Sequence, residues 1–179
     1  MKKTIKKELK NNDFRVTVFG SARIKKNDPN YEQIKTLSRT LGEQGIDIVT
    51  GGGPGLMMAA SEGHKMGSKK SKKKSHSIGL LIDLPKEQTI AKHLDIKKKF
   101  KRFSNRLDNY MNLSNVFVVA TGGIGTILEL FYTLQLIQVK QTCNVPIILL
   151  GDMWPGLIRW LEKHPLKNKM LNEDDLHSL

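Results

Sequence analysis

A single cysteine, Cys143, stands in a chain of 179 residues. That excludes a disulfide framework and a cysteine-built zinc site. The histidines at 64, 76, 93, 164 and 177 fall at no metal-ligand spacing, so no metal is expected. Long apolar runs are missing too. Val116 to Val139 carries no charge except Glu129, yet threonines, glutamines and glycines interrupt it. Strand, turn and helix describe that stretch better than a membrane span. Met1-Lys2-Lys3-Thr4-Ile5-Lys6-Lys7 has no apolar segment behind its charges, which argues against a secretory signal and for a cytoplasmic protein. No Gly-Lys-Ser/Thr completes a Walker pattern, and Leu56 stands where the dinucleotide fingerprint needs its third glycine. No serine sits in a nucleophile elbow.

Acidic residues are few. Against 30 Lys and Arg there are 17 Asp and Glu, a net charge of +13. The lysines gather at 2–10, at 69–74 and at 97–102. Such runs can release counterions from nucleic acid, but they more commonly form solvated tails and loops. No aromatic residue interleaves the 69–74 run, so stacking platforms for single strands are absent there. Phe100 and Phe103 interleave the third run, where packing is their expected role. A nucleic-acid partner is therefore disfavoured, and a basic nucleic-acid-binding protein stays as an alternative.

What remains reads as one α/β domain over 13–179 behind a basic tail at 1–12. Phe14–Phe19, Ile46–Val49, Ser77–Ile82, Val116–Ala120 and Pro146–Leu150 are β-branched or apolar runs expected as strands. Asp28-Pro29 caps a helix striped by Tyr31, Ile34, Leu37 and Leu41, and Gly45 ends it. Further helices are expected over 56–65, 127–139 and 154–163, the second of them buried because apolar residues surround it. Residues 86–112 read as short helices, with 106–111 the clearest. Apolar strands separated by helices imply a Rossmann-like, doubly wound parallel sheet. Ligands of such sheets bind beyond the carboxyl ends of the strands.

Two glycine turns stand at such ends: Thr50-Gly51-Gly52-Gly53-Pro54-Gly55-Leu56-Met57 and Thr121-Gly122-Gly123-Ile124-Gly125-Thr126. Glycine admits sharp turns and close backbone approach, and a helix N-terminus offers free N–H groups to an anion. Gly51, Gly52, Gly53 and Gly55 together with Gly122, Gly123 and Gly125 are thus candidates for one phosphate cradle. Glu129 follows Gly125 by four residues, a carboxylate in an otherwise apolar helix. Arg106 precedes the strand at 116–120, and its planar guanidinium suits a phosphate or a ribose.

These motifs resemble the Lonely Guy family, labelled "possible lysine decarboxylase", over roughly Val16 to Leu150. Gly20-Ser21-Ala22-Arg23, the first glycine turn and Leu84-Pro85-Lys86-Glu87-Gln88 fit one branch of it. The signature Pro-Gly-Gly-x-Gly-Thr-x-x-Glu is matched by Thr121-Gly122-Gly123-Ile124-Gly125-Thr126-Ile127-Leu128-Glu129. The resemblance implies a Rossmann-like fold and a homodimer. It also implies hydrolysis of the N-glycosidic bond of a nucleoside 5′-monophosphate, AMP or a cytokinin-type nucleotide, without metal or organic cofactor. It assigns catalysis to Arg106 and Glu129, phosphate binding to the glycine turns and Thr126, and places in the substrate pocket to Ser21 and Met57. Decarboxylation finds no support, because no lysine stands in a recognisable pyridoxal-phosphate setting. Three positions depart from the family pattern: Leu107 replaces a lysine, Thr121 the signature proline, and Leu128 an acid. The run from Lys69 to Ser75 looks inserted. A non-catalytic nucleotide-binding or molybdenum-cofactor carrier protein of the same superfamily is the other alternative.

Overall fold

A computed structural model describes residues 13–84 and 89–177. The tail at 1–12 and most of the Leu84–Gln88 motif lie outside the described residues. The strands are β1 (Arg15–Phe19), β2 (Asp47–Thr50), β3 (Ser77–Ile82), β4 (Ile96–Phe100), β5 (Val116–Ala120) and β6 (Ile147–Leu150). The α-helices are α1 (Pro29–Glu43), α2 (Leu56–Ser68), α3 (Phe103–Leu113), α4 (Ile124–Gln138) and α5 (Trp154–Leu161). All six strands run parallel in the order β4-β3-β2-β1-β5-β6. The order reverses between β1 and β5, and that point fixes the position of the site.

Strand alternation feeds two cores. Val16, Val18, Ile48, Val118 and Ala120 face one way, onto Tyr31 and Ile34 of α1 and Leu56, Ala59 and Ala60 of α2. Phe19, Val49, Phe117 and Val119 face the other way, onto Leu107 and Tyr110 of α3, Leu130 of α4 and Trp154 of α5. Helix α1 begins where Asp28 accepts a hydrogen bond from the Asn30 N–H at 2.9 Å, with Pro29 in the first turn. Gly63 and Gly67 bring α2 so near α1 that a Cβ on either would collide with the carbonyl of Lys35 or Arg39. The chain stays helical past α5, continuing directly into a π-helix at Glu162–Leu166.

Strand β4 is the element that the lysine run conceals. Ile96 and Phe100 are buried, Lys97 and Lys99 are exposed, and Lys98 lies half-buried with its Nζ 4.6 Å from the Phe100 ring centroid. The strand holds the sheet edge beside β3, and its lysines oppose pairing with another edge. Short helices account only for the later part of the segment, α3. The 69–74 run is an exposed connection, where Lys70 reaches Glu43 at 3.7 Å.

Helix α4 departs from expectation as well. Only Thr126, Glu129, Leu130 and Thr133 are buried. These lie at i, i+3, i+4 and i+7, one stripe against the sheet. Ile124 is 83% exposed and Leu128 46%. The apolar residues outnumber what one face of the sheet can cover.

Candidate functional site

The segments after β1, β2, β3 and β5 converge with the start of α3 on a cleft of about 480 Å³. It lies at the reversal of strand order. Ser21 ties the two glycine turns together: its N–H donates to the Thr121 carbonyl at 3.0 Å, and its carbonyl accepts from the Leu56 N–H at 2.9 Å. Its Oγ accepts from the Arg23 N–H at 3.1 Å.

Ser21, Gly51, Gly53, Met57, Arg106, Gly123, Gly125, Thr126 and Glu129 all line this cleft. Gly52, Gly55 and Gly122 do not. Gly52 packs inward, where a Cβ would meet Leu81 at 2.7 Å, and its φ is +69°. Gly55, at φ +67°, abuts the Ser21 carbonyl and Ala22. Gly122 lies against the Thr126 side chain, and its N–H points to Met153 Sδ at 3.4 Å. These three shape the turns rather than the surface. The α2 N-terminus is partly closed by the bond from Leu56 to Ser21. Helix α4 has no side-chain cap, and Gly123 and Gly125 are exposed. The more open set of amide donors is therefore the second turn.

Glu129 and Arg106 meet directly. Arg106 Nη2 donates to Glu129 Oε1 at 2.6 Å, with both side chains close to nine-tenths buried. Burial pushes the Glu129 carboxyl up to about 7, and the Arg106 charge and hydrogen bond offset only part of that rise. The Arg106 guanidinium lies 5.6 Å from the Phe103 ring and 5.5 Å from the Tyr110 ring. Phe103 is 49% exposed and lines the cleft, where it packs against the Arg106 guanidinium. Phe103, Arg106 and Tyr110 share one face of α3 at i, i+3 and i+7, a spacing legible once that helix is known. Gly20, Ala22, Arg23, Ile82, Leu84 and Ile124 complete the lining; all but Ile82 stand in motifs quoted from the sequence, though none was named there as a site residue.

The three departures fall in different places. Leu107 is buried in the core under α3. Thr121 donates its hydroxyl to Asn30 Oδ1 at 3.4 Å. Leu128 points away from the sheet on α4. Among the described residues no cluster of His, Cys, Asp or Glu could hold a metal, and no lysine lines the cleft.

A family model described as possible lysine decarboxylase matches residues 57–179. The chain belongs to this family, the Lonely Guy family that its motifs resemble. The pyrimidine/purine nucleotide 5′-monophosphate nucleosidase of Escherichia coli (strain K12) is 27% identical over 143 residues. That alignment takes in 76% of this chain and 30% of the relative, so the chain spans under a third of its length. The molybdenum cofactor binding protein of Rippkaea orientalis shares the fold, with a TM-score of 0.63 and 22% identity over 84% of each chain. A Moco carrier protein of Chlamydomonas reinhardtii gives a TM-score of 0.54 and 26% identity over 78% of this chain and 76% of that one. Among the described residues, no helix is long and apolar enough to cross a membrane.

Proposed function

We propose that the chain hydrolyses the N-glycosidic bond of a nucleoside 5′-monophosphate, AMP or a cytokinin-type nucleotide, giving free base and ribose 5-phosphate. One observation carries the reading: a buried carboxylate, Glu129, pushed up to about 7 and held 2.6 Å from Arg106 beside an uncapped helix N-terminus. The 5′-phosphate takes the amides of Gly123, Gly125 and Thr126, where the α4 dipole favours an anion. That seat brings the ribose over Glu129, one turn along the helix. As the bond from C1′ to the base nitrogen breaks, its electron pair goes to the base and positive charge grows on the ribose ring. The ionised Glu129 stabilises that charge and takes a proton from the water that attacks C1′. That proton passes on to the departing base, which returns Glu129 to its ionised form, and the water's remaining O–H stays on C1′. Arg106 grips the phosphate or the departing base while Phe103 and Tyr110 flank its guanidinium.

The bare, half-exposed apolar side of α4 favours a homodimer across that helix, placing the partner next to the cleft. The Moco carrier at 26% identity, with Leu107 and Thr121 in place of family residues, favours a second reading: a carrier that binds a phosphorylated ligand in the same cleft without cleaving it. Incubation with a panel of nucleoside monophosphates, followed by chromatography for free base, separates the two. Released base supports hydrolysis. Binding without release supports the carrier.

A further inference from the structure

Tyr110 sits one helical turn past Arg106, and packing accounts for its ring. The residue is fully buried, meets Phe19 edge-on at a centroid distance of 4.9 Å, and flanks the Arg106 guanidinium. A phenylalanine would do all of this. The hydroxyl is different: among the described residues it has no hydrogen-bond partner, and neither has Arg106 Nε. Buried hydroxyls are nearly always paired. Here two orphaned polar atoms belong to neighbouring side chains beneath one cleft.

Gly51 separates the hydroxyl from the cleft. A Cβ on Gly51 would lie 3.4 Å from Tyr110 Oη and 2.7 Å from Met57 Sδ. The missing side chain leaves that spot to the end of the Met57 thioether, which is flexible. Both Gly51 and Met57 line the cleft. Burial, with the nearby Glu129 adding to it, holds the phenol well above its ordinary pKa, so it remains an O–H that can donate and accept.

We propose that Tyr110 belongs to the ligand site: its hydroxyl hydrogen-bonds an oxygen of the ribose 5-phosphate portion of the bound nucleotide, beside Arg106, as the Met57 thioether gives way over Gly51. This rests on the nucleotide reading above and adds a specificity group to it. The ligand supplies the partner that this hydroxyl does not find among the described residues.

Tyr110→Phe removes the oxygen and keeps the ring. The test is calorimetric binding of ribose 5-phosphate and of AMP to the full chain, with the thermal midpoint of the unliganded protein measured alongside. The expected result is a midpoint equal to or above that of the wild type and a roughly tenfold weaker affinity for both ligands, the worth of one hydrogen bond in a site. Unchanged affinity for both would make the hydroxyl an idle orphan and overturn the proposal. A midpoint lowered together with the affinity would mark a packing role and overturn it as well. If the wild type binds AMP but releases no adenine, hydrolysis alone fails and the Tyr110→Phe comparison stands. If the wild type binds neither ligand, the nucleotide reading and this proposal fall together.

Discussion

Replacing Glu129 with glutamine removes a charge and keeps the shape. The folded protein holds this carboxyl at about 7, against 4.5 for an ordinary glutamate. That interval is worth roughly 3 kcal/mol, at about 1.4 kcal/mol per pH decade. Because the folded value is the higher one, the favourable contribution is fully present below pH 4.5 and is lost as pH rises through about 7. The wild type should therefore be destabilised between pH 5 and pH 8.5, and Glu129→Gln should escape that loss. At pH 8.5 the variant should melt higher by roughly 6–12 °C, taking 2–4 °C per kcal/mol for a domain of this size. The two proteins should converge near pH 5. Catalysis should move the other way: kcat for base release should fall on the order of 10²-fold or more, with nucleotide affinity little changed. A protein that gains stability while losing activity has its strain stored at the site. The assays are thermal melts across pH and chromatography of released base. A variant that melts lower than the wild type at pH 8.5 would refute the burial reading and make the Arg106–Glu129 pair a net stabiliser. An unchanged kcat would make Glu129 a structural residue.

The phosphate seat at α4 predicts that AMP binds and adenosine binds far more weakly, by calorimetry; equal affinities would remove the cradle. The pKa of Glu129 predicts that kcat/KM rises as pH passes upward through about 7, since the ionised carboxylate is the working form; a fall over that range would assign it the role of an acid instead. Replacing the lysines between Lys69 and Lys74 with serine should leave melting and hydrolysis nearly intact, because the segment is an exposed connection away from the cleft. Sedimentation should give a mass near twice 20.2 kDa, and Leu128→Glu, on the bare side of α4, should shift it toward the monomer; a fully active wild-type monomer would defeat the dimer.

Much of the fold is local, and the local parts were legible. β-branched runs such as Val116–Ala120, the Asp28-Pro29 cap and glycine turns placed after strands specify strand, helix start and turn within a few residues of one another. Their alternation implies a parallel sheet, and the sheet implies where a ligand sits. Glu129 and the glycines around it could be read for the same reason, lying within one turn of a single helix. Strand β4 could not. Ile96–Phe100 has two apolar residues and three lysines, and it becomes a strand because β3 offers it a ladder of hydrogen bonds at the sheet edge. Nor could the sequence separate glycines that face the cleft from Gly52, Gly55 and Gly122, which do not line it, since that depends on what packs against each turn. The pairing of Arg106 with Glu129 joins residues 23 apart through two helices on one face of the sheet. The rise of Glu129 toward neutrality follows from burial that only that packing creates. Sequence determined which chemical groups the chain carries and where the backbone turns. Tertiary structure decided which of them meet, and how far from water they do so.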